Sequence, residues 1–241
     1  MRKVLEDIAT VALTLETRGW AEGNAGNISA NVTGNPGTEP DDPLSSFAVY
    51  PLPGVYKILA GQYFLVSGAS IRMRNLAKQP RMNLLLIRIS DDGTSYIHLP
   101  IWQEIDPSLR PTSEFCTHLS IHEYLISGGR QEKTILHTHV NELIALTLDQ
   151  RINSESVLNS ILGSVLLEMN VMIPKGVGLI PYLEPGSCGI ARATVESLRQ
   201  HDLILWAKHG VIAVGTDLFD CLDKIEIVTK AAKIYFLARP L

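Results

Sequence analysis

Two of the seven histidines in this 241-residue chain, His137 and His139, lie one residue apart in the segment ILHTHV. In a strand, residues i and i+2 point to the same side, so both imidazoles would face one point in space. Neutral imidazoles are ligands for divalent transition metals, and a catalytic Zn²⁺ takes three protein ligands while keeping a position for water or substrate. The pair therefore needs a third donor. His209, in AKHGVIAVG, is the best candidate, at an apparent strand turn where Gly210 lets the backbone turn tightly and present the ring. An HxH pair alone fits equally well with two half-buried histidines bonded to backbone. A rival set is Glu114, His118 and His122, spaced by four so that all three share one helical face. The HEYL segment lacks the paired HExxH of zinc proteases, and an exposed polar stripe explains the same residues without metal. On pattern alone the two sets weigh equally. His98 and His201 read as ordinary surface or capping histidines.

Elements that position these residues can be read from periodicity. Val4, Leu5, Ile8, Val11, Ala12 and Leu15 predict an amphipathic helix over residues 2–18, with Gly19 as its stop. GNAGNISANV (23–32) passes from a Gly/Asn turn into a short strand. Gly34 to Pro53 holds five prolines and reads as an irregular surface excursion. Strands are expected over Gln62–Ser67, Met82–Ser90 and Tyr96–Leu99, the last two joined by a turn at Asp92-Gly93. Helices are expected over 112–126, 141–148, 154–169, 188–201 and 217–238, with two strands within 203–214 meeting at His209-Gly210. Strands and helices interleave without βαβ regularity. This predicts an α/β fold of α+β character, a central, mainly antiparallel sheet flanked by helices, in one domain.

Composition narrows the partners. Lys and Arg total 21 against 25 Asp and Glu, a formal net charge of -4, with 46% apolar residues. That excludes disorder and argues against nucleic acid as a partner. Cys116, Cys188 and Cys221 are odd in number and widely spaced, forming neither a disulfide framework nor a CxxC knuckle, so a cytoplasmic setting is expected. Glu6, Asp7 and Glu16 interrupt the apolar residues of the N-terminal segment, against a signal peptide or membrane span.

Six segments in order, RGWAEGNAGNIS (18–29), FLVSGASIRMRN (64–75), PTSEFCTHLSIH (111–122), ILHTHVNELIALT (135–147), IPKGVGLIPYLEPGS (173–187) and LILWAKHGVIAVG (203–215), together resemble the class II aldolase/adducin family, most closely its L-rhamnulose-1-phosphate aldolase branch. The resemblance covers nearly the whole chain and implies that family's three-layer α/β/α fold. It implies one Zn²⁺ per subunit held by His137, His139 and His209, which selects the HTH reading. It makes Glu114 the catalytic acid/base, with His118 and His122 in structural or supporting positions. It implies phosphate binding by Asn24, Gly26 and Asn27 of GNAGN, by Ser67-Gly68 and by Thr112-Ser113. Glu168, in VLLEMNVMIP, matches a second functional glutamate supplied across a subunit interface of a homotetramer. The reaction implied is cleavage of a ketose 1-phosphate, with the ion stabilising the enediolate of dihydroxyacetone phosphate as a Lewis acid and Glu114 handling the proton at C3.

The sequence departs from the family pattern twice. Ala69-Ser70 stands where relatives carry Ser-Gly, which displaces or removes one hydroxyl donor from the phosphate site. The chain stops at Leu241, where relatives often continue with a tail, implying a more open aldehyde end. L-fuculose-1-phosphate aldolase and related epimerases share the three histidines, so the metal set does not separate substrates. A non-catalytic adducin-like interaction module is the alternative from another functional class, and retention of all three histidines and Glu114 argues against it.

Overall fold

In the computed structural model, which describes residues 1–40, 42–99, 106 and 108–238, Leu5, Ile8, Val11, Ala12 and Leu15 form the buried side of helix α1 (Arg2–Thr17). Gly19 follows with φ of 68°, a left-handed conformation that suits glycine and ends the helix where the sequence predicts. Strand β1 (Asn27–Asn31) emerges from the Gly/Asn turn. The proline-bearing excursion is mostly irregular, yet it adds a short strand, β2 (Val49–Pro51). β2 lies at the edge of the sheet, where a proline can be accommodated without breaking a central ladder.

After β3 (Tyr63–Ser67) come two short helices, α2 (Met73–Lys78) and α3 (Pro80–Asn83). α3 takes the first residues of the strand expected from Met82, so β4 spans Leu84–Ile89. Asp92-Gly93 turns the chain into β5 (Ser95–Leu99) as expected. α4 (Phe115–Ser127), β6 (Thr134–Thr138) and α5 (Asn141–Leu146) follow. The single helix expected over 154–169 is corrected to two, α6 (Glu155–Val165) and α7 (Leu167–Met172). Gly163, Ser164 and Val165 are poor helix formers, and Leu166 takes extended dihedrals, φ −145° and ψ 118°. Asn170 Nδ2 then donates back to Gly163 O at 3.1 Å, folding α7 against the end of α6. β7 (Gly178–Ile180), α8 (Cys188–Ser197), β8 (Leu203–Trp206), β9 (Gly210–Gly215) and α9 (Leu218–Leu237) complete the order, with Asp217 capping α9 by accepting from Asp220 N–H.

Among the described residues the strands form one sheet in the order β2-β5-β4-β3-β1-β6-β9-β8-β7. Every pairing is antiparallel except β7 with β8, bearing out the expected mainly antiparallel sheet. Alternation along the strands sorts side chains into two layers. Ile28, Leu65, Leu136, Leu205 and Val211 face a core shared with α1, α2, α5, α6, α7 and α9. Phe64, Val66, Ile135, Trp206 and Ile212 face the other side, under α4 and α8. Asn27, Ser29 and His137 alternate with Ile28 and Leu136 and therefore lie on the α4 side. Helix α4 is thereby set over the ends of β1 and β6, which pair with Asn27 opposite His137.

Candidate active site

His137 is the fourth residue of β6 and His139 follows the strand end, while His209 sits in the turn between β8 and β9. Their ring centroids form a nearly equilateral triangle, 5.1 Å for His137–His139, 4.9 Å for His137–His209 and 5.0 Å for His139–His209. One nitrogen from each lies within 4.8 Å of the others. Zinc–nitrogen bonds of about 2.0–2.1 Å at tetrahedral angles place ring centres about 5 Å apart, so the triangle has the dimensions of a three-imidazole site. Two rings are held from behind. His137 Nδ1 donates to Val211 O at 2.9 Å, and His139 Nδ1 donates to Glu22 Oε1 at 2.9 Å. This leaves each Nε2 for the cleft, the arrangement by which metal-binding histidines are oriented. His137 Nε2 is buried without a hydrogen-bond partner, a state that an ion would relieve. Burial pushes His137 down to about 3 and His209 to about 4, so both rings stay neutral and able to ligate at ordinary pH.

The turn that presents His209 works differently from the sequence expectation. The left-handed residue is Lys208, φ 63°, not Gly210. Gly210 is required because a Cβ there would stand 2.5 Å from Thr138 O, 3.0 Å from His139 Cδ2 and 3.1 Å from His137 Cε1. The glycine thus lets β9 approach the HTH segment closely.

Glu114 sits at the N-terminal end of α4, buried, with Oε2 3.5 Å from His137 Nε2 and Oε1 3.5 Å from His209 Nε2. Its Oε2 accepts a hydrogen bond from Asn27 Nδ2 at 2.8 Å. The rival metal set is not assembled. Glu114 turns toward the HTH strand, whereas His118 and His122, expected on an exposed stripe, are fully buried and bonded to Ser29 Oγ at 2.7 and 2.8 Å. These polar residues are buried because α4 lays them against Asn27 and Ser29 of β1, which offer them hydrogen-bond partners. His98 and His201 are also buried, not at the surface, and His201 Nδ1 donates to Lys175 O at 2.7 Å.

Burial pushes His118 and His122 down to about 3. In the unfolded chain each takes up a proton near pH 6.5. Between those limits the unfolded state carries more protons, so stability falls as pH drops below 6.5, by up to about 3 kcal/mol per pH unit for the two sites together. Urea unfolding from pH 7 to 4.5 is expected to show this decline, and a flat profile would mean the pair is charged or solvated in the native state.

The three histidines and Glu114 open onto a cleft of about 550 Å³ that is also lined by Asn24, Gly26, Asn27, Gly68, Thr112 and Ser113. Of the residues matched to phosphate binding, only Ser67 lies off the cleft. It is fully buried and its Oγ accepts from Ile28 N–H at 3.0 Å, tying β3 to β1. Gly26 has φ of 80°, and a Cβ there would come within 3.1 Å of His137 O, so the loop's close approach to the HTH strand depends on glycine. Ala69 and Ser70 both line the cleft, Ser70 with φ of 58°. A serine thus occupies a left-handed position that glycine takes without strain. No Lys or Arg lies among the described lining residues. Glu168 lies on α7, exposed and outside this cleft. Glu22 and Ser29 were not legible from the sequence, since nothing local marks a loop carboxylate or a strand serine as the partner of a distant histidine.

Residues 6–236 match the family described as "Class II Aldolase and Adducin N-terminal domain". The chain belongs to the class II aldolase and adducin family. Rhamnulose-1-phosphate aldolase of Bacteroides thetaiotaomicron is 37% identical over 99% of this chain and 87% of its own length, and that of Listeria monocytogenes serovar 1/2a is 32% identical over 96% and 83%. The sugar-phosphate aldolase structure from Thermotoga maritima superposes with a TM-score of 0.84 at 30% identity, covering 100% of this chain and 98% of that one. L-Fuculose-1-phosphate aldolase from Thermus thermophilus shares the class II aldolase fold at a TM-score of 0.65 and 17% identity, covering 100% of both chains. Among the described residues no helix is long and apolar enough to cross a membrane.

Proposed function

We propose that this class II aldolase reversibly cleaves L-rhamnulose 1-phosphate to dihydroxyacetone phosphate and L-lactaldehyde, with one Zn²⁺ held by His137, His139 and His209. The observation that carries the reading is the convergence of three imidazoles and one buried carboxylate on a cleft walled by Gly/Asn and Thr/Ser loops. The two rhamnulose-1-phosphate aldolases similar over nearly the whole chain supply the substrate class. A divalent ion bound there would supply Lewis-acid stabilisation of the enolate charge that develops at the C2 oxygen as the C3–C4 bond breaks.

The chain's own residues handle position and protons. Glu114 delivers a proton to C3 in cleavage and removes it in condensation, from a fixed place beside the histidines. Asn24, Gly26, Asn27, Gly68, Thr112 and Ser113 surround the phosphate with amide, hydroxyl and backbone donors, a neutral site that suits the lack of Lys and Arg in the wall. Ser67 acts on the same site indirectly, by holding β1 to β3. The proton leaving the C4 oxygen goes to Glu168 of a neighbouring copy in a homotetramer, which accounts for that residue's position outside its own chain's cleft. The reading makes 1–241 one catalytic domain of a cytoplasmic enzyme.

A coupled assay consuming dihydroxyacetone phosphate, run on L-rhamnulose and L-fuculose 1-phosphates, is expected to favour rhamnulose by at least tenfold; faster cleavage of fuculose would reassign the substrate. Gly210→Ala tests the metal centre through geometry alone. A methyl pressed against Thr138 O and two ligand rings is expected to weaken metal binding by roughly tenfold or more, because such sites tolerate displacements of only about 0.5 Å. Chelator competition measures it, and unchanged affinity would remove the triangle as the ligand set.

A further inference from the structure

Behind Glu114 runs a chain of buried hydrogen bonds that the mechanism above does not use. Asn27 Nδ2 donates to Glu114 Oε2 at 2.8 Å, and Asn27 Oδ1 meets His118 Nε2 at 2.5 Å. His118 Nδ1 meets Ser29 Oγ at 2.7 Å, and the same Oγ meets His122 Nε2 at 2.8 Å. All five residues are buried. They come from two elements, Asn27 and Ser29 two apart on β1, and Glu114, His118 and His122 four apart along the start of α4.

Each link fixes the direction of the next. Asn27 presents its NH₂ to Glu114 and thereby turns its carbonyl oxygen, which can only accept, to His118. His118 must then carry its proton on Nε2. Burial keeps this ring neutral, so Nδ1 is an acceptor and Ser29 must donate to it. Ser29 Oγ is left to accept from His122 Nε2–H. A side-chain amide without such a partner can rotate by half a turn and exchange its nitrogen and oxygen, which here would aim a carbonyl oxygen at the carboxylate. The histidine removes that alternative.

We infer that His118, held by Ser29 and His122, is a positioning residue that locks the Asn27 amide in the orientation donating to Glu114, and so fixes the carboxylate for its task in the chemical step. The inference rests on the aldolase reading for its effect on turnover. The relay itself is a statement about proton positions that stands apart from the substrate.

The two claims can be tested separately. In ¹⁵N spectra of the purified wild-type protein, the His118 ring is expected as a neutral tautomer with its proton on Nε2; a proton on Nδ1, or a ring exchanging between tautomers, would overturn the relay. This measurement remains decisive even if the wild-type chain cleaves neither sugar phosphate, an outcome that would sink the aldolase reading instead. For turnover, His118→Gln keeps an N–H donor near the Nε2 position, whereas His118→Asn does not reach Asn27. His118→Asn is expected to lower kcat by roughly 10–100-fold, the scale on which misplacement of about 1 Å acts, with His118→Gln recovering to within a few-fold of wild type and bound metal unchanged in both. Equal losses in the two variants, or full kcat in His118→Asn, would overturn the inference. Should either variant fail to fold, Ser29→Ala frees His118 Nδ1 with little change in volume. It is expected to lower kcat several-fold at unchanged metal content, and wild-type kcat would count against the relay.

Discussion

Glu114→Gln is expected to lower kcat by about 10²–10⁴-fold, the range attributed to a positioned acid or base, while leaving bound metal at the wild-type level. The substitution keeps the size of the side chain and an oxygen that can accept from Asn27 Nδ2, as Oε2 does at 2.8 Å. It removes the only group of the proposed mechanism that can exchange a proton with C3. The three imidazoles remain, since none is bonded to Glu114 more closely than 3.5 Å. The change should therefore fall on kcat and not on metal content or KM. Steady-state kinetics with elemental analysis separates these quantities. A variant with full turnover would remove Glu114 from the proton step, and a metal-free variant would make the carboxylate a ligand.

The sequence carried more of this site than local pattern alone suggests, for reasons that differ by residue. His137 and His139 are legible because two-residue spacing on a strand is itself a geometric statement, and β6 carries His137 with His139 just beyond its end. His209 stands out as the best third donor from its glycine turn, but only the family resemblance selects this set over its rival, because the pairing of β9 with β6 is a long-range fact that no local spacing encodes. His118 and His122 show the converse failure. Their four-residue spacing was visible, but polarity was read as exposure, whereas both lie against the strand serine that bonds them. Polar residues on a helix can be buried when the facing strand offers equally polar partners. The broken helix at Leu166 has a similar origin. Residues 154–169 hold enough apolar spacing for one helix, yet weak formers at Gly163, Ser164 and Val165 let the chain fold back. Glu22 was beyond reach because its role exists only through contact with His139, far along the chain.

His209→Ala is expected to abolish tight metal binding while preserving the fold, and the reason lies in where the ring sits. His209 belongs to the turn between β8 and β9, its side chain 13% exposed, whereas His137 is enclosed by the sheet and Trp206 at 1%. Truncating His209 opens a solvent-facing gap, not a core cavity, so the metal-free variant should melt close to metal-free wild type. Loss of one of three ligands removes a large share of the binding free energy, which is expected to weaken affinity by about 10²–10⁴-fold. Two tests follow from linkage. Added Zn²⁺ should raise the melting temperature of wild-type protein in proportion to the logarithm of its concentration above Kd, and should leave His209→Ala almost unmoved. Activity should disappear with the metal and should not return on adding Zn²⁺ at micromolar levels. A variant that still bound zinc tightly would have to recruit another donor. Glu114 is the nearest, already 3.5 Å from both His137 and His209, so retained zinc with lost turnover would show the carboxylate drawn out of its catalytic position into the ligand set. His118 and His122 offer no substitute, because Asn27 and Ser29 already hold His118 by both ring nitrogens and Ser29 holds His122 Nε2.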